Sequence, residues 1–318
     1  MTTALFSNRA LIAFIGVVVV FLLGTILIPG FGSVFSVRAM LILASLLAIA
    51  ALGQTLVMIL GGIDLSIPFV IGFANVVFAS LYGSGMPALL ALLIVIGCAA
   101  AIGAMSGALS AGLSIHPLIV TLGVGTVVQA AVQLWTRGLP TGSAPPFIND
   151  FVSLGGTIGP LPFPWLIPFT AALTLGCVFV LHRTVYGRRL YALGSNLKAA
   201  ELALVRPVAM WMTTFAVSAV FAALAGVLLV GFTGSSSATV GTPYLFQTVS
   251  AVVIGGTALV GGRGGFVGTV AGAVVLVELR TLLIGLGLSE AMVQSALGLL
   301  ILLLVAAYGR DQHIRNLI

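Results

Sequence analysis

Ten runs of mostly apolar residues, several of them as long as a bilayer is thick, leave this chain one kind of fold: 11–29, 39–60, 67–81, 88–111, 117–135, 165–181, 207–231, 245–261, 266–288 and 291–308. A helix needs ~20 apolar residues to cross the hydrocarbon, and inside lipid only helices and closed barrels satisfy every backbone polar group. These runs are continuous rather than alternating, so they predict helices. The expectation is an all-α polytopic membrane protein of about ten transmembrane helices. Soluble domains are about 45–50% apolar, whereas this chain is 60% hydrophobic with a mean hydropathy of +1.29. No stretch of soluble composition longer than 182–206 interrupts it, so residues 1–318 read as a single membrane domain. The first run follows Arg9 and has no small-residue cleavage site, which reads as a span rather than a leader. The run 67–81 is short and is either tilted, re-entrant or a half-helix.

Charge fixes the expected orientation. The segment 182–206 holds five of the twelve basic residues (Arg183, Arg188, Arg189, Lys198 and Arg206) beside one acid, Glu201. Positive loops stay in the cytoplasm. With ten spans both termini then lie there too. Arg9, Arg183, Arg188, Arg189, Lys198, Arg206, Arg263, Arg310 and Arg315 fall inside, against Arg38, Arg137 and Arg280 outside or near an outer helix end. The net charge of +6 is therefore a topology signal and gives no reason to expect nucleic acid. From Asn196, a capping residue, the pattern Leu197, Leu202, Val205 predicts a short amphipathic helix lying outside the bilayer.

Outside the membrane, the connections 137–164 and 231–243 make up a nearly uncharged face. Pro140, Pro145, Pro146, Pro160, Pro162 and Pro164 predict an ordered, non-helical surface in the first of them. Gly103/Gly107 and Gly264/Gly268/Gly272 have the spacing of close helix–helix seams. Cys98 and Cys177 lie in apolar runs and read as buried thiols.

Gly61-Gly62-Ile63-Asp64-Leu65-Ser66 interrupts the second and third runs. Either Asp64 or Ser66 caps the helix beginning at Ile67, with Pro68 in its first turn, or the carboxylate takes part in transport. Val253 to Gly265 is bracketed by glycine pairs that either break a helix over a cavity or make a tight turn. Gln54, Asn75, Thr121, Gln129 and Gln247 are neutral hydrogen-bonding groups within spans, suited to a hydroxyl-rich solute or to holding helices together. Glu278 and Arg280 are two apart and call for partners on other helices. The only lysine, Lys198, lies between Leu197 and Ala199, so there is no Walker loop; His116, His182 and His313 lack metal spacing, and no chain of intramembrane acids would carry protons.

Three stretches together resemble the permease subunits of bacterial ABC sugar importers of the ribose/xylose/galactose class: Gly61 to Ser66, Tyr186 to Ala200 with its Ala-Leu-Gly-Ser-Asn core, and Ala251 to Gly264. The resemblance runs from about residue 40 to the end. It implies a multi-pass protein of the inner membrane that dimerises as a homo- or heterodimer, surrounded by lipid. A cytoplasmic ABC ATPase subunit would dock on 182–206, holding ATP and Mg while this chain binds no cofactor. A periplasmic sugar-binding protein would deliver solute to loops 137–164 and 231–243. Coupling then falls to Tyr186, Gly187, Arg188, Gly194, Asn196, Lys198 and Glu201, and the translocation path to Gln54, Asp64, Asn75, Thr121, Gln129 and Gln247. The solute implied is a pentose, hexose or related polyol; the same architecture for nucleosides, branched-chain amino acids or a signalling furanose, and a secondary carrier, remain alternatives. Two departures bear on the solute: Ile67-Pro68-Phe69 follow where the family usually has Val-Gly-Ser, and Leu245-Phe246-Gln247 stand where Glu-Leu-Asp is common. On this reading Gly194→Pro with Glu201→Arg uncouples transport while the protein still inserts, measured as uptake against membrane yield.

Overall fold

The computed structural model describes residues 9–158 and 163–308. Pro160, Pro162, Arg310, His313 and Arg315 lie outside them. The described residues are helical and contain no β-sheet. In chain order the helices are α1 (Arg9–Leu27), α2 (Val34–Leu60), α3 (Ile67–Gly83), α4 (Ala88–Gly112), α5 (Pro117–Thr136), α6 (Pro146–Val152) and α7 (Leu166–Arg183). There follow α8 (Val185–Ser195), α9 (Leu197–Leu202), α10 (Pro207–Thr233), α11 (Tyr244–Ile254), α12 (Phe266–Gly285) and α13 (Glu290–Tyr308). Six of them, α2, α4, α5, α7, α10 and α12, are long and apolar enough to cross a membrane.

The middle of the bundle is α2, whose most apolar window is 94% buried. A helix apolar all round must be covered all round. On one side α10 packs against α2, α3 and α4; on the other α12 packs against α2, α1 and α11. Small residues set these approaches. On Gly103 of α4 a Cβ would stand 2.2 Å from the Phe215 carbonyl of α10, and on Gly107 it would stand 2.5 Å from that of Trp211. Gly268 and Gly272 of α12 meet the Gly255 and Ala251 carbonyls in the same way, while Gly264 sits in the preceding loop. The glycine spacing thus marks seams at 103/107 and 268/272.

Three expectations need correction. The run 245–261 is helical only over Tyr244–Ile254, eleven residues; Gly255 ends the helix and a glycine-rich loop reaches Gly265. The connection 137–164 contains the short helix α6, because Pro145 at the N-cap and Pro146 in the first turn sit where a missing N–H costs nothing. Cys98 faces outward from α4, whereas Cys177 is buried.

Two stretches between helices run inside the bundle. After α2 the chain turns at Gly61 and climbs back along it, so that the Asp64 N–H donates to Oε1 of Gln54, six residues before the end of α2. That places the start of α3 roughly 9 Å in from the end of α2. After α10 the chain descends along α3. The Ser237 N–H donates to Oδ1 of Asn75, Gly241 lies on the Pro68 carbonyl, and α11 starts beside the first turn of α3. Part of the 231–243 connection is therefore drawn in against α3.

Gly107→Leu drives a side chain into the α10 backbone. We expect a loss of about 1–3 kcal/mol, read as a lower Tm of the purified protein in detergent.

Candidate functional site

The three sequence motifs meet at one end of the bundle. Thr184 caps α8, accepting from the Gly187 N–H while donating to the Val180 carbonyl. Leu190 and Leu193 of α8 are buried. At Gly194 the helix lies directly on its neighbours: a Cβ would stand 1.9 Å from the Ile59 carbonyl and 2.6 Å from the Gly262 nitrogen. That nitrogen donates to the Ile59 carbonyl at 2.8 Å. Gly261 is at φ +88°, where a Cβ would stand 2.9 Å from both the Gly61 Cα and the Gly194 carbonyl, a conformation and an approach that favour glycine. Two tyrosines complete the joint. Tyr191 donates to the Gly264 carbonyl at 2.7 Å, and the Tyr186 hydroxyl pairs with Thr214 of α10 at 2.9 Å. Burial raises the pKa of both phenols above the usual range, so both stay protonated. The end of α2, the glycine loop 255–265, α8 and α10 thus form one contact cluster.

Beyond it, Oδ1 of Asn196 accepts from the Ala199 N–H and starts α9. The amphipathic face differs from the expected one. Ala200 is the buried residue, while Leu197 is 50% exposed and Leu202 and Leu204 are each 88% exposed. With only six residues before the chain leaves the helix, and with Leu204 at φ +61°, the leucines turn outward. Lys198 and Glu201 are exposed beside them, as are Arg188 on α8 and Asn196. Leu197, Leu202 and Leu204 thus stand exposed among charged and polar side chains. Gly187 and Gly194 belong to the packed side; the Gly187 Cβ position lies 2.1 Å from the Leu181 carbonyl. A Gly194→Pro change would therefore strike the fold itself, and coupling is better probed at the outward residues.

A second cluster holds the break before α3. Oδ1 of Asp64 accepts from the Ser66 N–H at 2.9 Å and from the Ser66 hydroxyl at 2.5 Å, and Oδ2 accepts from the Ser218 hydroxyl of α10 at 2.7 Å. Leu65 donates its N–H to Thr121 of α5. Asp64, Ser66, Gln54, Thr121 and Ser218 are all buried. Ser66 occupies the N-cap position of α3, yet its side chain makes no cap bond; the carboxylate of Asp64 instead accepts the N–H of Ser66 itself. The structure brings Gln54, Asp64 and Thr121 together. Asn75 is separate, bridging the Gly226 carbonyl and Ser237. Gln129 is half-buried on α5. Gln247 lines a different cavity of about 330 Å³ with Tyr244, Arg280 and Thr281. Arg280 finds its partner in Glu290 of α13, at 2.8 Å, while Oε2 of Glu278 has none among the described residues. Sequence reasoning missed Ser218 and Tyr191. A serine inside an apolar run and an aromatic within a basic segment are their only signals, and neither says what it faces.

Against known proteins, residues 36–306 match the model of the family described as the permease component of branched-chain amino acid transport systems. The chain belongs to this permease family. Its relatives include the ribose import permease protein RbsC of Escherichia coli K12, 32% identical over 97% of this chain and 95% of the relative. The fructose import permease protein FrcC of Rhizobium meliloti is 33% identical over 92% and 82%. The autoinducer 2 import system permease protein LsrC of Shigella flexneri is 30% identical over 96% and 88%. No solved structure gives a match. The permease is accordingly a multi-pass protein of the inner membrane, and its six long apolar helices fit that place.

Asp64→Ala leaves two hydroxyls and one N–H without their acceptor. We expect a destabilisation of about 2–4 kcal/mol, against a smaller loss for Ser218→Ala, by thermal unfolding in detergent.

Proposed function

We propose that this permease is the membrane subunit of an ABC importer that moves a pentose, hexose or related polyol by ATP-driven alternating access. The observation that carries the reading is the joint at Gly194, Ile59 and Gly262, where an outward-facing α9 is tied to α2 and to the 255–265 loop. A push on α9 passes through α8 into the most buried helix of the bundle without an intervening flexible link. In this reading ten spans place both termini on the side that carries α8. The cytoplasmic ATPase subunit, holding ATP and Mg, docks on Lys198, Glu201, Leu202 and Leu204 with Asn196 and Arg188 alongside, while Tyr186, Gly187 and Gly194 transmit. The exposed parts of 137–164 and 231–243 receive a periplasmic sugar-binding protein, and two copies, or this chain and a similar one, enclose the path.

The solute class draws its support from relatives named for ribose, fructose and autoinducer 2, all similar over nearly the whole of this chain. The family description names branched-chain amino acids, which keeps those as an alternative; nucleosides and a signalling furanose are the others for the same architecture. For the path, the hydroxyl- and amide-bearing Gln247, Gln129 and Asn75 suit an uncharged hydroxylic solute. Gln54, Asp64 and Thr121 already spend hydrogen bonds on the break before α3, so their part in transport is to shape the path.

The test is co-purification in mild detergent from the native membrane. An ATPase subunit is expected with the wild type and is lost from Glu201→Arg/Leu202→Asp, which alters only exposed side chains, while yield is unchanged. Solute movement in liposomes by the chain alone, without ATP, would instead establish a secondary carrier.

A further inference from the structure

Between α2, α7 and α10 the flank of the bundle holds a cavity of about 550 Å³ that is almost wholly apolar. Leu52 and Leu56 of α2, Phe169 of α7 and Phe221 of α10 form its floor and walls. Its open side follows α7 through Ala172, Gly176 and Val180, spaced by one turn and all exposed. Gly176 widens it, since a Cβ there would meet nothing within 4 Å. At its inner end stands Tyr186, with its hydroxyl turned to Thr214. The same tyrosine lines an adjoining cavity of about 500 Å³ whose wall carries Arg189 and Arg206. Neither guanidinium has a carboxylate partner among the described residues.

We propose that the two cavities form one site for an anionic phospholipid, with an acyl chain along α7 in the apolar groove and the phosphate on Arg189 and Arg206. The placement supports each half. The groove lies along helices that cross the membrane, where an unfilled groove forfeits dispersion contacts and the surrounding medium is hydrocarbon. The arginines lie just beyond Arg183, the last residue of α7, and just before Pro207, the first of α10. That is the level at which headgroups sit, and basic pockets between helix ends there take acidic headgroups. Guanidinium groups pair with phosphate in a two-bond geometry that a zwitterionic lipid's own cation competes against. A soluble partner offers an acid for the arginines but nothing for the groove; an apolar helix fills the groove and leaves the arginines bare. Only an amphiphile with an acidic end matches both. Its acyl chain would brace Tyr186, and so the root of α8, from the lipid side. The site stands whether or not the chain works as an importer.

The probe is a phosphatidylglycerol with a photoreactive acyl chain, compared with the matching phosphatidylcholine. Each is incorporated with the full-length protein into nanodiscs of phosphatidylcholine and phosphatidylglycerol in equal parts. Labelling is mapped by peptide mass spectrometry. We expect adducts concentrated on 172–180 with the anionic probe. Gly176→Phe, which plugs the groove, should abolish that excess while leaving labelling of other helices unchanged. Gly176→Leu, a smaller plug, should lower it and serves if the larger one fails to fold. Arg189→Gln and Arg206→Gln should each reduce the preference for phosphatidylglycerol roughly fivefold. Equal labelling of wild type and plugged variants, or no preference for the anionic probe, would overturn the site. So would loss of the adducts when a second copy or an ATPase subunit binds, which would assign the groove to protein contact.

Discussion

Backbone N–H groups that leave a helix inside a membrane must find acceptors in the protein, because lipid has none to give. This chain leaves a helix inside the bundle twice, before α3 and before α11, and much of its buried polar inventory answers to those two departures. The N–H groups of Asp64, Leu65 and Ser66 go to Gln54, Thr121 and Asp64; that of Ser237 goes to Asn75. An acid in the Gly61–Ser66 motif, an amide in α2, a threonine in α5 and a serine in α10 are thereby drawn to one place from four separate parts of the sequence. A carboxylate so deep is tolerable because it accepts three hydrogen bonds. Without these acceptors α3 and α11 would have no reason to start where they do.

The second constraint is steric. Where α8 meets the end of α2 and the 255–265 loop, three backbones touch with no side chain between them, and the contact has little freedom to deform. It divides the segment in two: Gly187, Gly194 and the tyrosines seat it against the bundle, while Lys198, Glu201, Leu202 and Leu204 are exposed. The same logic runs through the rest of the bundle, where glycines on α4 and α12 let α10 and α11 come within backbone contact.

Some of this was legible in the residues. The apolar runs declared a helical membrane protein, Asn196 declared the start of a short helix, and the three glycine-containing motifs marked where the chain had to bend or approach closely. Other features were misread for physical reasons. An apolar run does not say where a helix ends within it, so 245–261 looked like one span although Gly255 stops the helix at Ile254. A stripe of leucines does not say which way it points: in a six-residue helix held by Ala200, Leu197 and Leu202 turn to water. Prolines that looked like breakers opened a helix at Pro146 because only its first turn was involved.

What the sequence by itself determined is what hydropathy and local chemistry can determine: solvent, helix content, and the positions where glycine, proline and the rare acids forbid regular structure. These depend on each residue and its near neighbours along the chain. Which polar groups meet was decided only by the tertiary structure, since the pairing of Asp64 with Ser218, 154 positions away, or of Gly194 with Ile59 and Gly262, depends on how long helices cross. A hydrogen bond needs its partner within about 3 Å, and no spacing along the chain encodes that distance across a bundle.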